Sequence, residues 1–328
     1  MSHKLDVPHM WKEQMGQVVA KQNELAADAY STDQSIEELR QAYRTERRFW
    51  NEGGPDVAWT RDVTVPTRHG QVRVRHYRDH TDRALPWIVY LHGGGWMIGD
   101  VDTHDRITRT LCHLTGAAVL SIDYTLAPEA KFPHQIEQCC DVVTYVHAHA
   151  DQWGLNAEDF SFAGDSAGAN MACALALKLR DEAELPPART MLLFYGAYGL
   201  KDSVTQRLLG GSWDGLTKED YASYLEAYLR TSEDVDHPLF NVLANDFSVG
   251  IGPCFIVGAD LDPLYDDSRA LAQILSMADV PNVLRTFSGV LHGFLHHSKM
   301  LDDSMAALQE AATYFETHNP LMPARITD

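Results

Sequence analysis

The chain has 328 residues, of which 45% are apolar and 22% charged, and its formal net charge is −19. These values are those of a globular protein with an ample core, and the acidic excess argues against nucleic-acid binding because it would repel phosphates. No stretch approaches the ~18 uninterrupted apolar residues of a membrane span, and the N-terminus lacks the apolar segment of a secretory signal, so we expect a cytoplasmic protein.

Residues 1–52 carry the apolar spacing of helices, most clearly over residues 35–50, and two glycines and a proline within residues 51–55 end the pattern. The same stretch holds a cluster of arginines among glutamates. We expect this cluster to form a salt-bridged helix face that joins Arg44, Arg47 and Arg48 with Glu37, Glu38 and Glu46.

From about residue 58 the apolar pattern has a period of two, and residues 63–66 and 71–77 alternate like the strands of a hairpin. Continuous apolar runs follow, separated by helical stretches. They lie at residues 87–91, 117–122, 160–163, 191–195, 254–257 and 283–287. Runs without alternation are typical of parallel strands buried on both faces, so we predict one domain over residues 1–328 with a mostly parallel α/β sheet flanked by helices.

The interval between the runs near 191–196 and 254–258 is far longer than one crossover needs. Within it, residues 217–230 have a helical pattern that is rich in tyrosine, which we expect to be exposed. One interpretation is a helical cap, built from residues 1–52 and about 200–245, over the edge of the sheet where ligands bind. The alternative is a plain surface excursion.

Five cysteines lie in apolar segments without a Cys-x-x-Cys spacing, which predicts buried free thiols in a reducing compartment. One interpretation of adjacent Cys139 and Cys140, with His134 nearby, is a set of metal ligands. We predict instead a pair inside a helix that fills core space.

Residues 164–168 read Gly-Asp-Ser-Ala-Gly between an apolar run and an Ala/Leu-rich helical stretch. A strand–turn–helix corner of this kind holds a serine in a strained conformation, with its hydroxyl presented for attack on a carbonyl. The alternative is a helix start made of small residues, with Ser166 near the N-cap.

A nucleophilic serine needs donors for the oxyanion that forms. Residues 87–91 run directly into His92, Gly93, Gly94 and Gly95, and we expect the backbone N–H groups of Gly93 and Gly94 to form an oxyanion hole together with that of Ala167. A flexible turn or a phosphate-binding nest are the alternatives.

The serine also needs a base and an acid that orients the base. Asp262 follows a buried run and precedes a proline, so we choose it as the acid, with Asp260 in reserve. His292 lies in the loop after the last run and is our choice for the base. Four neighbouring residues are expected only to begin helices, namely Asp266, Asp267, His296 and His297.

Several motifs together resemble the hormone-sensitive-lipase branch of the α/β-hydrolases. They are the segments at 92–95, 123–129, 132–133, 164–168, 262–264 and 292–294. Three more segments are similar to those of the bacterial cytoplasmic acetyl esterases of that branch, at 44–50, 102–106 and 208–216. The resemblance covers nearly the whole chain.

The resemblance implies an α/β-hydrolase fold whose cap comes from the N-terminus and the insertion. It implies Ser166, Asp262 and His292 as the triad, residues 92–94 as the oxyanion segment, and no metal or organic cofactor. Its substrates would be short-chain acyl esters, acetyl to about butyryl, with long-chain triacylglycerols excluded. A protein partner in sugar metabolism, such as the maltose-regulon activator, enters only as an open alternative, and the acidic surface suits a monomer or a small homo-oligomer.

We therefore predict a serine carboxylesterase that forms an acyl-enzyme on Ser166. A binding or regulatory protein on a hydrolase scaffold is the alternative from another class, and a thioesterase or peptidase would use the same machinery. Bulky residues either shorten the acyl pocket or simply fill the interior. They are Phe49, Trp50, Trp96, Tyr195 and Trp213.

Overall fold

Eight strands form one sheet in the computed structural model, which describes residues 4–81, 83–183 and 185–318. The strands are β1 (Trp59–Thr67), β2 (Gly70–Arg78), β3 (Leu85–Leu91), β4 (Ala118–Asp123), β5 (Leu155–Asp165), β6 (Met191–Phe194), β7 (Cys254–Ala259) and β8 (Asn282–Phe287). Their order across the sheet is β1-β2-β4-β3-β5-β6-β7-β8. The pairs β1/β2 and β2/β4 are antiparallel and the others parallel, which confirms the expected mostly parallel sheet with an antiparallel start.

Helices cover both faces of this sheet. They are α1 (Glu13–Ala26), α2 (Ile36–Asn51), α3 (Asp105–Thr115), α4 (His134–Ala148), α5 (Ala150–Trp153), α6 (Ala167–Glu182), α7 (Val204–Leu208), α8 (Lys218–Tyr228), α9 (Tyr265–Met277) and α10 (Asp302–Thr317). Short 3₁₀ helices occupy Val7–His9, Ser232–Asp236, Val242–Ala244 and Phe294–His297. None of the helices in the described ranges has the length and apolar character needed to cross a membrane.

Successive residues of the central strands belong to two different cores. Trp87 and Val89 of β3 pack with residues of α4, α6 and α9, whereas Ile88 and Tyr90 pack with residues of α3 and α10. Side chains alternate between the two faces of a strand, so a strand with helices on both sides must be apolar at every position. This is the physical origin of the continuous apolar runs in the sequence.

The run at residues 283–287 departs from this pattern. It forms most of β8, which is the edge strand beside β7, and its burial alternates along the strand. The side chain of Val283 is 44% exposed. The expectation that this run is buried on both faces is therefore wrong, because an edge strand leaves part of one face uncovered.

The tyrosines of α8 also differ from expectation. Tyr224 and Tyr228 are buried rather than exposed, and the ring of Tyr228 stacks on Trp96 with the centroids 4.5 Å apart. A capping box formed by Thr217 and Asp220 begins the helix. The helical pattern was predicted, but the tyrosines point inward because α8 lies over the residues that follow β3.

The arginine cluster of α2 forms no surface network of the predicted kind. Glu46 and Arg47 are both buried and joined by a 2.8 Å ion pair, and Arg44 pairs with Asp100 outside its own helix. The expected salt-bridged face is therefore wrong for these groups. The five cysteines are buried free thiols, as predicted.

Candidate active site

Ser166 lies at the corner between β5 and α6, with backbone angles φ 55° and ψ −123°. A positive φ is rare and costly for a residue with a side chain, and its occurrence here is typical of a nucleophile held at a sharp turn. Neighbouring glycines make room for the corner. A Cβ on Gly164 would come within 2.5 Å of the carbonyl oxygen of Gly168, and one on Gly168 would collide with the carbonyl of Leu91.

The hydroxyl of Ser166 makes a hydrogen bond with a histidine. The side chain makes no capping bond to α6, which removes the alternative of a simple N-cap. Instead the Oγ of Ser166 lies 2.8 Å from Nε2 of His292, in the loop that follows β8. The other ring nitrogen, Nδ1, lies 2.7 Å from Oδ2 of Asp262, in the loop after β7. The three side chains predicted from their chain order thus form one continuous hydrogen-bonded line.

Asp262 is fully buried, and its second oxygen accepts the backbone N–H of Leu264 at 2.7 Å. The side chain of His292 is largely buried, with 10% of it exposed. Burial disfavours a charged imidazole, but the Asp262 carboxylate outweighs burial and raises the pKa of His292 above its ordinary value of 6.5. Asp214 and Asp165 raise this pKa further. The site therefore stabilises an imidazolium, which is the state His292 adopts when it takes the serine proton.

The neighbouring acids have other partners. Asp260, the reserve choice, accepts the backbone N–H of Gly289 at 2.7 Å. Asp267 is buried and accepts three backbone N–H groups, those of residues 198–200, and burial raises its pKa to about 7. The expectation that Asp267 only favours a helix start is incomplete, because this carboxylate holds the turn that follows β6.

The glycines after β3 do not all serve as expected. The backbone N–H of Gly93 donates to Oδ1 of Asp165 at 2.9 Å, so it is not free to bind an oxyanion, and this part of the expectation is wrong. The N–H groups of Gly94 and Gly95 make no hydrogen bond within the described part of the chain. We therefore propose Gly94, Gly95 and Ala167 as the oxyanion donors. Which of Gly93 and Gly95 is a donor depends on the direction of its backbone N–H group, and the sequence does not encode that direction.

His92 supports this loop from behind. Its ring stacks on Tyr124 with the centroids 4.2 Å apart, and its Nδ1 lies 2.9 Å from the carbonyl oxygen of Gly93. Burial, assisted by His104, lowers the pKa of His92 to about 4. A neutral, buried imidazole fits a positioning role for His92 in the oxyanion segment.

Asp165 connects the serine corner to the same loop. Its Oδ1 accepts the hydroxyl of Tyr90 at 2.7 Å in addition to the Gly93 N–H. Burial opposes its charge, but His104 and these hydrogen bonds hold the pKa of Asp165 below its usual value. Asp165, His104 and His296 also offer three ligand atoms within 4.8 Å of one another. Asp165 already accepts two internal hydrogen bonds. We therefore interpret this cluster as one that holds the loops of the site in position, rather than as a metal centre.

Two small cavities of about 50 Å³ each meet at Ser166, Asp214 and His292. The walls of the first, here called the apolar cavity, are completed mainly by Trp96, Ala197, Leu216, Tyr221, Tyr224 and Leu264. The walls of the second, the polar cavity, are completed mainly by Tyr30, Tyr43, Arg47, Gly94, Asp165 and His296. Residues from both proposed cap segments thus face the serine.

Of the five bulky residues singled out in the sequence, only Trp96 lines either cavity within the described chain. Trp213 packs edge-on against Trp11, and Tyr195 packs edge-on against the ring of His292. Sequence reasoning missed Gly95 and Asp214. The signal for Asp214 was the glycine-rich segment at 208–216, which carried a resemblance but no role.

The family model described as the α/β hydrolase fold matches residues 88–296. Acetyl esterases of Salmonella schwarzengrund and Salmonella paratyphi A are each 46% identical to the chain over 288 residues, which cover 87% of this chain and 88% of theirs.

Solved structures show the same likeness. The hyperthermophilic esterase of the archaeon Pyrobaculum calidifontis superposes with a TM-score of 0.87 at 29% identity, over 94% of this chain and 98% of that one. A thermophilic carboxylesterase from a metagenomic library has a TM-score of 0.84 at 30% identity, over 89% of this chain and all of the other.

Proposed function

The chain belongs to the α/β-hydrolase fold family and is a carboxylic ester hydrolase of its hormone-sensitive-lipase branch, and from this premise we propose that it cleaves short-chain acyl esters, acetyl to butyryl, through an acyl-enzyme on Ser166. The observation that carries the proposal is the hydrogen-bonded line from Ser166 through His292 to Asp262. An inactive binding protein, the alternative class, would not need this line to be complete.

In the proposed reaction the Oγ of Ser166 attacks the ester carbonyl while Nε2 of His292 takes the hydroxyl proton. The oxyanion that forms accepts hydrogen bonds from the backbone N–H groups of Gly94, Gly95 and Ala167. His292 then gives its proton to the leaving alkoxide, and the acyl group stays on Ser166. A water molecule, deprotonated by His292, releases the acid in the same way. Asp262 keeps the proton on Nδ1 throughout.

The size of the apolar cavity supports the short acyl chain. A cavity volume of about 50 Å³ accommodates roughly three to five non-hydrogen atoms, since one water-sized group needs about 10–15 Å³ on this scale. That range corresponds to acyl groups from acetyl to butyryl. We also propose that residues 1–52 and 200–245 act as the cap that closes over the two cavities, since Tyr43 lines the polar cavity and Asp214 and Tyr224 line the apolar cavity.

The acyl-length preference is testable on p-nitrophenyl esters from acetate to laurate. We expect kcat/KM to be highest between acetate and butyrate and to fall roughly tenfold or more by octanoate, because a chain longer than the cavity must displace the side chains that close it, and such overpacking costs about 1–3 kcal/mol. Rates that rise toward laurate would contradict the short-chain proposal while leaving the esterase activity intact.

A larger groove of about 750 Å³ lies beside the apolar cavity. Three residues line both spaces and therefore separate them, namely Leu216, Tyr221 and Leu264. Leu216→Ala should therefore open the cavity and raise the octanoate-to-acetate ratio roughly tenfold. The matched control is Leu225→Ala, since Leu225 lines the groove but not the cavity. Equal changes in both variants would show that Leu216 sets no limit.

The pH dependence follows from the charge state of the base. Only neutral His292 accepts the serine proton, and the carboxylates of Asp262, Asp214 and Asp165 raise its pKa above 6.5. We therefore expect kcat/KM for p-nitrophenyl acetate to rise with pH to a plateau, with the midpoint above pH 6.5. A plateau that extends down to pH 5 would contradict this assignment of the base.

A further inference from the structure

Three buried charged side chains line the polar cavity, and two of them, Asp214 and Arg47, take no direct part in the reaction described above. Asp214 is 8% exposed and Arg47 is 3% exposed, and both line this cavity together with Ser166 and His292. Burying a charge is costly unless every polar atom of the group finds a partner. Polar atoms left without partners here therefore point to a ligand.

Asp214 is one of these groups. It lies in the loop that precedes α8, and its Oδ1 accepts the backbone N–H groups of Gly211 and Leu216 at 3.1 and 3.0 Å. Its Oδ2 has no hydrogen-bond partner among the residues that the structure describes. Burial raises the pKa of Asp214 to about 6, so at about pH 8 the group is an anion with one free acceptor.

Arg47 is the complementary group. Its Nη1 donates to Glu46 and its Nη2 to the hydroxyl of Tyr30. Its Nε, in contrast, has no acceptor within the described ranges. Two residues that line the polar cavity thus carry one unpaired acceptor, Asp214 Oδ2, and one unpaired donor, Arg47 Nε.

This pairing of charges restricts the chemistry of the ligand. An anionic group would be repelled by Asp214, and an ammonium group, which only donates hydrogen bonds, would leave the Nε of Arg47 without an acceptor. A hydroxyl group is neutral, donates one hydrogen bond and accepts another. It therefore matches the polar cavity, whereas the apolar cavity on the same serine suits the hydrocarbon of an acyl group.

We infer that the alcohol part of the natural ester carries a hydroxyl group close to the ester oxygen, and that Asp214 recognises it by accepting its hydrogen bond. This inference rests on the proposed esterase activity and deepens it. Asp214 then selects substrates, while the triad performs the reaction. The position of Asp214, which lines both cavities, keeps it next to the alcohol part of any ester bound at Ser166.

The test compares two esters of equal size, 2-hydroxyethyl acetate and n-propyl acetate, at about pH 8. In Asp214→Asn the amide oxygen still accepts the N–H groups of Gly211 and Leu216, but its NH₂ group replaces the free acceptor. We expect the kcat/KM ratio of the hydroxylated ester to the plain ester to fall roughly tenfold or more, since any effect of the lost charge on His292 acts on both esters and cancels in the ratio.

Asp267→Asn is the matched control, because Asp267 is equally buried and bonded to backbone N–H groups but lines neither cavity. Its ratio should equal that of the wild type. A ratio that Asp214→Asn leaves unchanged, or an equal loss on both esters, would overturn the inference alone. A wild type that hydrolyses neither ester would overturn the proposed function and the inference with it.

Discussion

Ser166→Ala should lower kcat for p-nitrophenyl acetate by roughly 10⁵-fold or more, because the covalent route through the serine is lost and only binding and the oxyanion donors remain. The structure makes this expectation sharp, since the Oγ of Ser166 is the only group that His292 Nε2 contacts by hydrogen bond in the described chain. The folded state should persist, as the substitution removes one oxygen that faces the cavities at the corner.

The matched control is Ser161→Ala. Ser161 lies in β5, the strand that leads into the corner, and its hydroxyl pairs with that of Thr190, directly before β6 and away from the cavities. Its kcat should stay within about threefold of the wild type. His292→Ala should cost about as much as Ser166→Ala, and the double variant little more, because the residues act as one unit. A Ser166→Ala enzyme with wild-type turnover would refute the acyl-enzyme on Ser166.

Asp262→Asn should lower kcat roughly 10⁴-fold. The asparagine oxygen would keep the hydrogen bond from Leu264 N–H, which leaves its NH₂ group facing Nδ1 of His292. That nitrogen must then accept, so the ring proton moves to Nε2, where it prevents acceptance of the serine proton. Loss of the carboxylate also removes the main cause of the raised pKa of His292, so the acid limb of the pH profile should shift to lower pH.

Asp260→Asn distinguishes the two candidate acids. Asp260 bonds to Gly289 N–H, so its replacement should leave kcat within about threefold and the pH profile in place. A large loss in Asp260→Asn together with an active Asp262→Asn would reverse the assignment.

The positions of the strand ends explain why the three triad residues could be predicted from the sequence. In a parallel sheet the carboxyl ends of β5, β7 and β8 lie at one edge, so polar residues that follow apolar runs are brought together there. Ser166, Asp262 and His292 are such residues, and their contact follows from topology alone. Their catalytic roles stay predictions until the variants above are assayed.

The features that could not be predicted from the sequence depend on how backbone and side-chain groups are oriented in the folded chain. The peptide of Gly93 turns toward Asp165, which excludes it from the oxyanion hole, and neither residue type nor spacing encodes that turn. The tyrosines of α8 and the ion pair of Glu46 with Arg47 were assigned to the surface because polar atoms suggest solvent. Their burial follows from the docking of one segment on another, which local periodicity does not describe.

The dispersal of the site along the chain has a consequence for biosynthesis. The wall of the polar cavity begins at Tyr30, the nucleophile follows at Ser166, and the base comes only after the last strand, at His292. Domains are made from the N-terminus onward, so a nascent chain that already displays its serine corner still lacks a base. The chain therefore becomes able to hydrolyse esters only late in its synthesis, in one step, when β8 joins the sheet.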